Sequence, residues 1–169
     1  MRKLCFILMS LCACVCMGQS FLSVKYGTPY NQALSLFQEK YHDNCEGGGE
    51  SIIIVSPKVG SCVFDCGIAN FSMVNGQSVL DGGVLFAELP QSERATHVGR
   101  MKDLVKLLEQ KYGEDTMLSE DGESFYFGKA LRSDDKWLGS LSIVDKPSQG
   151  ISALVLNYSK ILSSQTDDL

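Results

Sequence analysis

Leu36-Phe37-Gln38-Glu39-Lys40-Tyr41 returns 71 residues later, conservatively changed, as Leu107-Leu108-Glu109-Gln110-Lys111-Tyr112. Each hexamer closes an amphipathic segment. In the first, Tyr30, Ala33, Leu34, Phe37 and Tyr41 fall on one helical face, and Met101, Leu104, Val105, Leu108 and Tyr112 repeat that spacing at a constant offset of 71 (30 to 101, 41 to 112). Thr28 suits an N-cap and Pro29 the first helical position, where its missing N–H costs nothing. Gly113 suits the C-terminal cap of the second helix.

Similar sequence follows each helix. An acidic, glycine-containing stretch (Cys45-Glu46-Gly47-Gly48-Gly49-Glu50; Ser119-Glu120-Asp121-Gly122-Glu123) leads into three strand-like runs. The first set is Ile52–Val55, Cys62–Val74 and Val79–Leu89, with turns at Pro57-Lys58-Val59-Gly60 and Asn75-Gly76. The second is Phe125–Phe127, Trp137–Val144 and Ile151–Tyr158, with a turn at Lys146–Gly150. Gly67-x-Ala69-x-Phe71 matches Gly139-x-Leu141-x-Ile143, an offset of 72 (67 to 139). The expected fold is α+β: two tandem α-β-β-β repeats whose meanders merge into one antiparallel sheet with both helices packed on one face. A lone unit of this size buries a marginal core, which favours the merger. The predicted units are residues 19–90 and 91–162, with residues 163–169 a flexible tail.

Residues 1–18 carry a different pattern. Met1-Arg2-Lys3 precedes an apolar run from Leu4 to Met17, too short to span a bilayer and suited to a secretory signal peptide cleaved after Gly18. Leu11-Cys12-Ala13-Cys14 offers an alternative, a lipobox with Cys14 as the anchored residue. Cleavage after Gly18 leaves 151 of 169 residues, with 13 basic against 20 acidic side chains, a net charge of −7 in place of −5. Such a balance argues against nucleic acid as a partner. No later run is apolar for long enough to span a membrane. The predicted location is periplasmic or extracellular, or the outer membrane if Cys14 is lipidated.

A tandem of helix-plus-meander units in an exported chain resembles the β-lactamase-inhibitor-protein-like architecture, and Leu108-x-x-Lys111-Tyr112-Gly113 with Leu156-Asn157-Tyr158 resembles small secreted bacterial proteins. The resemblance spans about residues 24–160 and rests on element order. It implies a protein-binding or envelope-assembly role as a class and carries no functional residue.

Cys45, Cys62 and Cys66 remain after export, where disulfides persist. Strand spacing holds Cys62 and Cys66 about 13 Å apart. A hairpin pairing Ser56 with Ser61 sets Cys66 opposite Ser51, within reach of Cys45. A Cys45–Cys66 disulfide is therefore predicted, with Cys62 a buried free thiol; three reduced core cysteines are the alternative. A hydrolase pairing Cys62 or Cys66 with His42 or His97 is disfavoured, because no catalytic signature surrounds any cysteine and both histidines flank helix ends. Two histidines in unpaired spacing build no zinc site, the acidic stretch at residues 114–123 lacks the alternating ligands of a calcium loop, and Gly47-Gly48-Gly49 lacks a following Lys-Ser/Thr. No metal, cofactor or catalytic residue is expected. Alternation along Phe125-Tyr126-Phe127 turns Tyr126 off the core face, so Tyr126 and Trp137 are the candidate binding surface. The expected function is a non-catalytic binding module whose partner is another envelope or extracellular protein.

Overall fold

Apolar side chains at helical spacing form the two expected helices, and a computed structural model describes residues 20–129 and 137–158 of the chain. Helix α1 spans Tyr30–Tyr41 and buries Ala33 and Phe37, with Tyr30, Leu34 and Tyr41 packed beside them. Its entry differs by one residue from the predicted cap. Pro29 occupies the N-cap with extended ψ of 146°, and Thr28 accepts a hydrogen bond from Leu80 N–H at 2.9 Å. Thr28 is held by the sheet and does not cap the helix. Helix α2 spans Arg94–Tyr112 and buries His97, Met101, Leu104 and Leu108. It starts two turns before the apolar stripe, over residues whose polarity hides them. Gly113 ends it at φ 59°, donating to Glu109 O, in the left-handed region where a side chain is costly.

The strands are β1 (Ser20–Phe21), β2 (Val24–Lys25), β3 (Cys45–Gly47), β4 (Ser51–Val55), β5 (Lys58–Val59), β6 (Cys62–Val63), β7 (Cys66–Val74), β8 (Gln77–Pro90), β9 (Thr116–Leu118), β10 (Ser124–Lys129), β11 (Trp137–Lys146) and β12 (Ile151–Tyr158). Eight form one antiparallel sheet in the order β3-β4-β7-β8-β12-β11-β10-β9. Chain order runs inward from both edges, and the two meanders meet where β8 pairs with β12, Leu85 opposite Leu156. The α+β class with a merged antiparallel sheet is what the alternation of the runs predicts. The strand count per unit is corrected: four sheet strands follow each helix, because Cys45–Gly47 within the first acidic stretch and Thr116–Leu118 just before the second form the short edge strands β3 and β9.

One predicted strand is also divided. Cys62–Val74 splits into β6 and β7 because Phe64 is fully buried, while Asp65 donates its N–H to Phe86 O at 3.0 Å and accepts from Glu88 N–H at 2.7 Å. The intervening β5–β6 hairpin tucks under α2, close enough that a Cβ on Gly60 would meet the Leu107 side chain.

Both helices and this hairpin cover the same face. The row Ile54–Gly67–Leu85–Leu156–Leu141–Phe125, read across paired strands, is buried throughout. Phe21 of β1 inserts over the centre of that face, edge-on to Phe37 and Tyr158, at ring separations of 6.4 and 5.9 Å. The predicted signal segment 1–18, including Cys14, and the tail 163–169 lie outside the described residues. No helix among the described residues is long and apolar enough to cross a membrane.

Candidate functional site

Because side chains alternate along a strand, every residue between the core positions faces the opposite side of the sheet. One cross-strand row on that side runs Ile53–Ile68–Val84–Asn157–Ser140–Tyr126, and the next runs Val55–Cys66–Phe86–Val155–Ser142. Ile53 and Val55 are 43% and 48% exposed, and Ile68, Val84, Phe86 and Val155 are half-buried by their own neighbours. The aliphatic patch thus lies over β4, β7, β8 and β12. Ser140 and Ser142 on β11 separate it from an aromatic pair.

That pair is Tyr126 and Trp137, stacked at 6.2 Å with 28° between ring planes. Phe125 and Phe127 on either side of Tyr126 are 2% and 0% exposed, so Tyr126 leaves the core face as alternation requires. Trp137 opens β11 opposite Lys129. The rest of the surface was missed from sequence because its residues become neighbours only through strand register. A signal was present: Ile52-Ile53-Ile54-Val55 is apolar at every position, so it buries one side and exposes the other.

The predicted Cys45–Cys66 disulfide is not formed; all three cysteines are free. Cys45 pairs with Ile54 on β4, whose other neighbour is Gly67, so Cys45 lies on the core face. Cys66 pairs with Val55, on the open face and two strands away, not with Ser51. The predicted hairpin register ignored the inward turn of β5–β6, which lets β4 pair directly with β7. Cys62 is buried and free, as expected. Burial pushes all three thiols above their ordinary range, the reverse of what a nucleophilic thiolate needs.

The two histidines occupy different settings. His42 follows α1 at φ 52°, exposed beside Cys45 and Asp43. His97 lies in the first turn of α2, at the helix start as expected, but is fully buried rather than solvated. Its Nε2 lies 3.0 Å from Ser152 O, and its Nδ1 has no partner among the described residues. Cys66 lies on the far side of the sheet. Burial, the largest influence, lowers the His97 pKa, assisted by Arg100 and opposed by Ser152 O, Asp65 and Asp145.

Ser152 and Asp145 stand near His97, yet the group lacks the geometry of an activated serine. His97 meets the Ser152 carbonyl rather than its hydroxyl, and both residues are inaccessible. Among the described residues the Ser152 hydroxyl has no well-formed hydrogen bond, but it sits close enough to Asp145 to favour its ionised form. With the Arg94 guanidinium, it holds that carboxyl below the usual range. Arg94 donates from Nε to Asp145 at 2.8 Å and from Nη2 to Glu123, tying the start of α2 to β11 and the β9–β10 turn. Among the described residues, no group of three or more His, Cys, Asp or Glu is placed to hold a metal ion.

A groove of about 630 Å³ lies between α2 and the β9–β10 turn, with Val98, Met101, Val105, Leu118 and Ile143 as its apolar lining. No family model matches the chain, and neither the curated proteins nor the solved structures give a match.

Proposed function

We propose that the protein is an exported, non-catalytic interaction module that binds another envelope or extracellular protein through the open face of its sheet. One observation carries the reading: both helices pack on one face, and Val55, Val84, Phe86, Val155, Tyr126 and Trp137 remain on the other. A half-exposed aliphatic patch with an aromatic pair beyond a strip of serines supports a docking site on this face. A basic start followed by a 14-residue apolar run supports export, and a net charge of −7 after cleavage argues against nucleic acid. The duplicated helix-plus-meander reading and its likeness to the β-lactamase-inhibitor-protein architecture belong to this proposal as a class of role.

Affinity capture from envelope extract, followed by titration of the captured protein, tests it. Phe86→Asp and Tyr126→Ala should each weaken binding by at least about tenfold, as expected of anchors in an apolar interface. Retention of full affinity by both variants, with unchanged melting, excludes this face. The second reading, lipid anchoring through Cys14, is favoured by Leu11-Cys12-Ala13-Cys14. A mature N-terminus beginning at Gln19, found by mass spectrometry, excludes it.

A further inference from the structure

Among the described residues the eight-stranded sheet ends on the α2 side at β9, whose one ladder partner there is β10. Met117 pairs with Tyr126, and the flanking bonds are Ser119 N–H to Ser124 O at 2.8 Å and Gly128 N–H to Asp115 O at 2.7 Å. Backbone groups in an antiparallel ladder alternate in direction. Residues 115, 117 and 119 therefore address β10, and the N–H and C=O groups of Thr116 and Leu118 point off the edge. On the helix side of that edge lies the groove of about 630 Å³. Leu118, 56% exposed, forms one wall, while Val98, Met101 and Val105 of α2 face it.

The charges around the groove are unequally committed. Arg94 is bound to Asp145 and Glu123, and Asp121 accepts from Ser119 Oγ and Glu123 N–H. Lys102 and Lys106 lie one turn apart on the helix rim and are exposed. Lys106 is 3.9 Å from Asp103, an exposed and loose pair, and Lys102 has no ion-pair partner among the described residues. Glu109 stands beyond them, so the middle of the helix wall presents Lys102 and the loosely held Lys106.

We propose that the β9 edge and this groove bind an extended peptide segment of another protein, which adds as a ninth strand. Its backbone bonds Thr116 and Leu118. One apolar side chain enters between Leu118 and Val105, and an acidic side chain two residues away meets Lys102 and Lys106. The unpaired amides select a peptide, since a second strand satisfies donors and acceptors together. The two-residue spacing follows from strand alternation, and the acidic preference from Lys102 and the loosely paired Lys106. A second copy of this chain fits poorly. Pairing β9 with itself about Met117 brings Glu114 and Asp115 of one copy against Glu120 and Asp121 of the other. This site is on the helix side and is independent of the open-face reading.

The test begins with selection from a displayed library of random octapeptides on the purified protein, followed by calorimetric titration of the peptide most enriched. Enrichment of an apolar residue with Asp or Glu two positions away is expected. Binding should weaken by about tenfold or more for Lys102→Glu/Lys106→Glu and for Thr116→Pro. Thr116→Pro removes an N–H that faces away from β10, so no ladder bond is lost, and Leu118→Ala offers a second perturbation at an exposed position. Absence of enrichment overturns the proposal, as does undiminished binding by these variants with native melting. Binding abolished by Phe86→Asp alone assigns the peptide to the open face, and dimerisation abolished by Thr116→Pro assigns the edge to a second copy; either result also overturns it.

Discussion

Phe21 and Gly83 form a pair whose coupling reports how the chain closes over its core. Phe21 is fully buried, with its ring packed so closely over β8 that a Cβ on Gly83 would stand 2.5 Å from Cε2 and 2.6 Å from Cζ. Ordinary carbon contacts begin near 3.5 Å. The ring is fully buried and met edge-on by Phe37 and Tyr158. Gly83→Ala therefore overpacks the centre of the inner face, at a cost of about 1–3 kcal/mol. A smaller opposing gain of about 0.4–1 kcal/mol comes from stiffening the unfolded chain. Phe21→Ala removes a buried aromatic ring and leaves a cavity, costing about 3–5 kcal/mol. In the double variant the clash has vanished, and the new methyl fills part of the space the ring left. Its cost should fall below that of Phe21→Ala alone, with a coupling of about 1–3 kcal/mol. Urea unfolding of all four proteins, followed by far-UV circular dichroism and fluorescence with equal m-values, measures this directly. Additivity within about 0.5 kcal/mol would refute the packing of β1 over β8.

Three further outcomes are expected. Burial lowers the His97 pKa below its unfolded value of 6.5, so the unfolded chain binds the extra proton below that pH. Stability is then level above about 6.5 and falls as pH drops towards the folded pKa, by up to about 1.4 kcal/mol per pH unit. His97→Leu should flatten urea midpoints just below about pH 6.5, whereas Asp145, lowered from 3.8, acts only in more acid solution; parallel curves would disprove this account. Arg94→Ala should cost on the order of 1 kcal/mol at low salt and less in about 1 M chloride, since its partners are partly exposed and screened. Aromatic disulfide reagent at neutral pH should label the three thiols slowly until denaturant is added, and non-reducing mass mapping should find no 45–66 cross-link.

Legibility followed the range of the interactions. The apolar stripes of α1 and α2 were readable because helical neighbours are three and four residues apart. The placement of Tyr126 was readable because alternation is local. Edge strands β3 and β9 were not, since three residues beside glycine and acidic side chains carry no period and are held by ladder bonds to β4 and β10. Asp65 interrupts a run that looks continuous, because its backbone and carboxylate are engaged by β8 more than twenty residues away. His97 is polar on a helix that the apolar pattern starts later, and its burial depends on Ser152 from β12.

From sequence alone came the α+β class, the two helices with their buried faces, and the separation of Phe125 and Phe127 from Tyr126. Each follows from periodicity, which is a property of neighbouring residues. Only the tertiary structure decided the four-strand meanders, the distance between Cys45 and Cys66, and the union of Ile53, Val84 and Tyr126 on one face. Those facts rest on register: a shift of one residue in strand pairing turns every side chain to the other side of the sheet. Register here is set by a buried Phe64, a rerouted Asp65 and the meeting of β8 with β12, all of them long-range contacts.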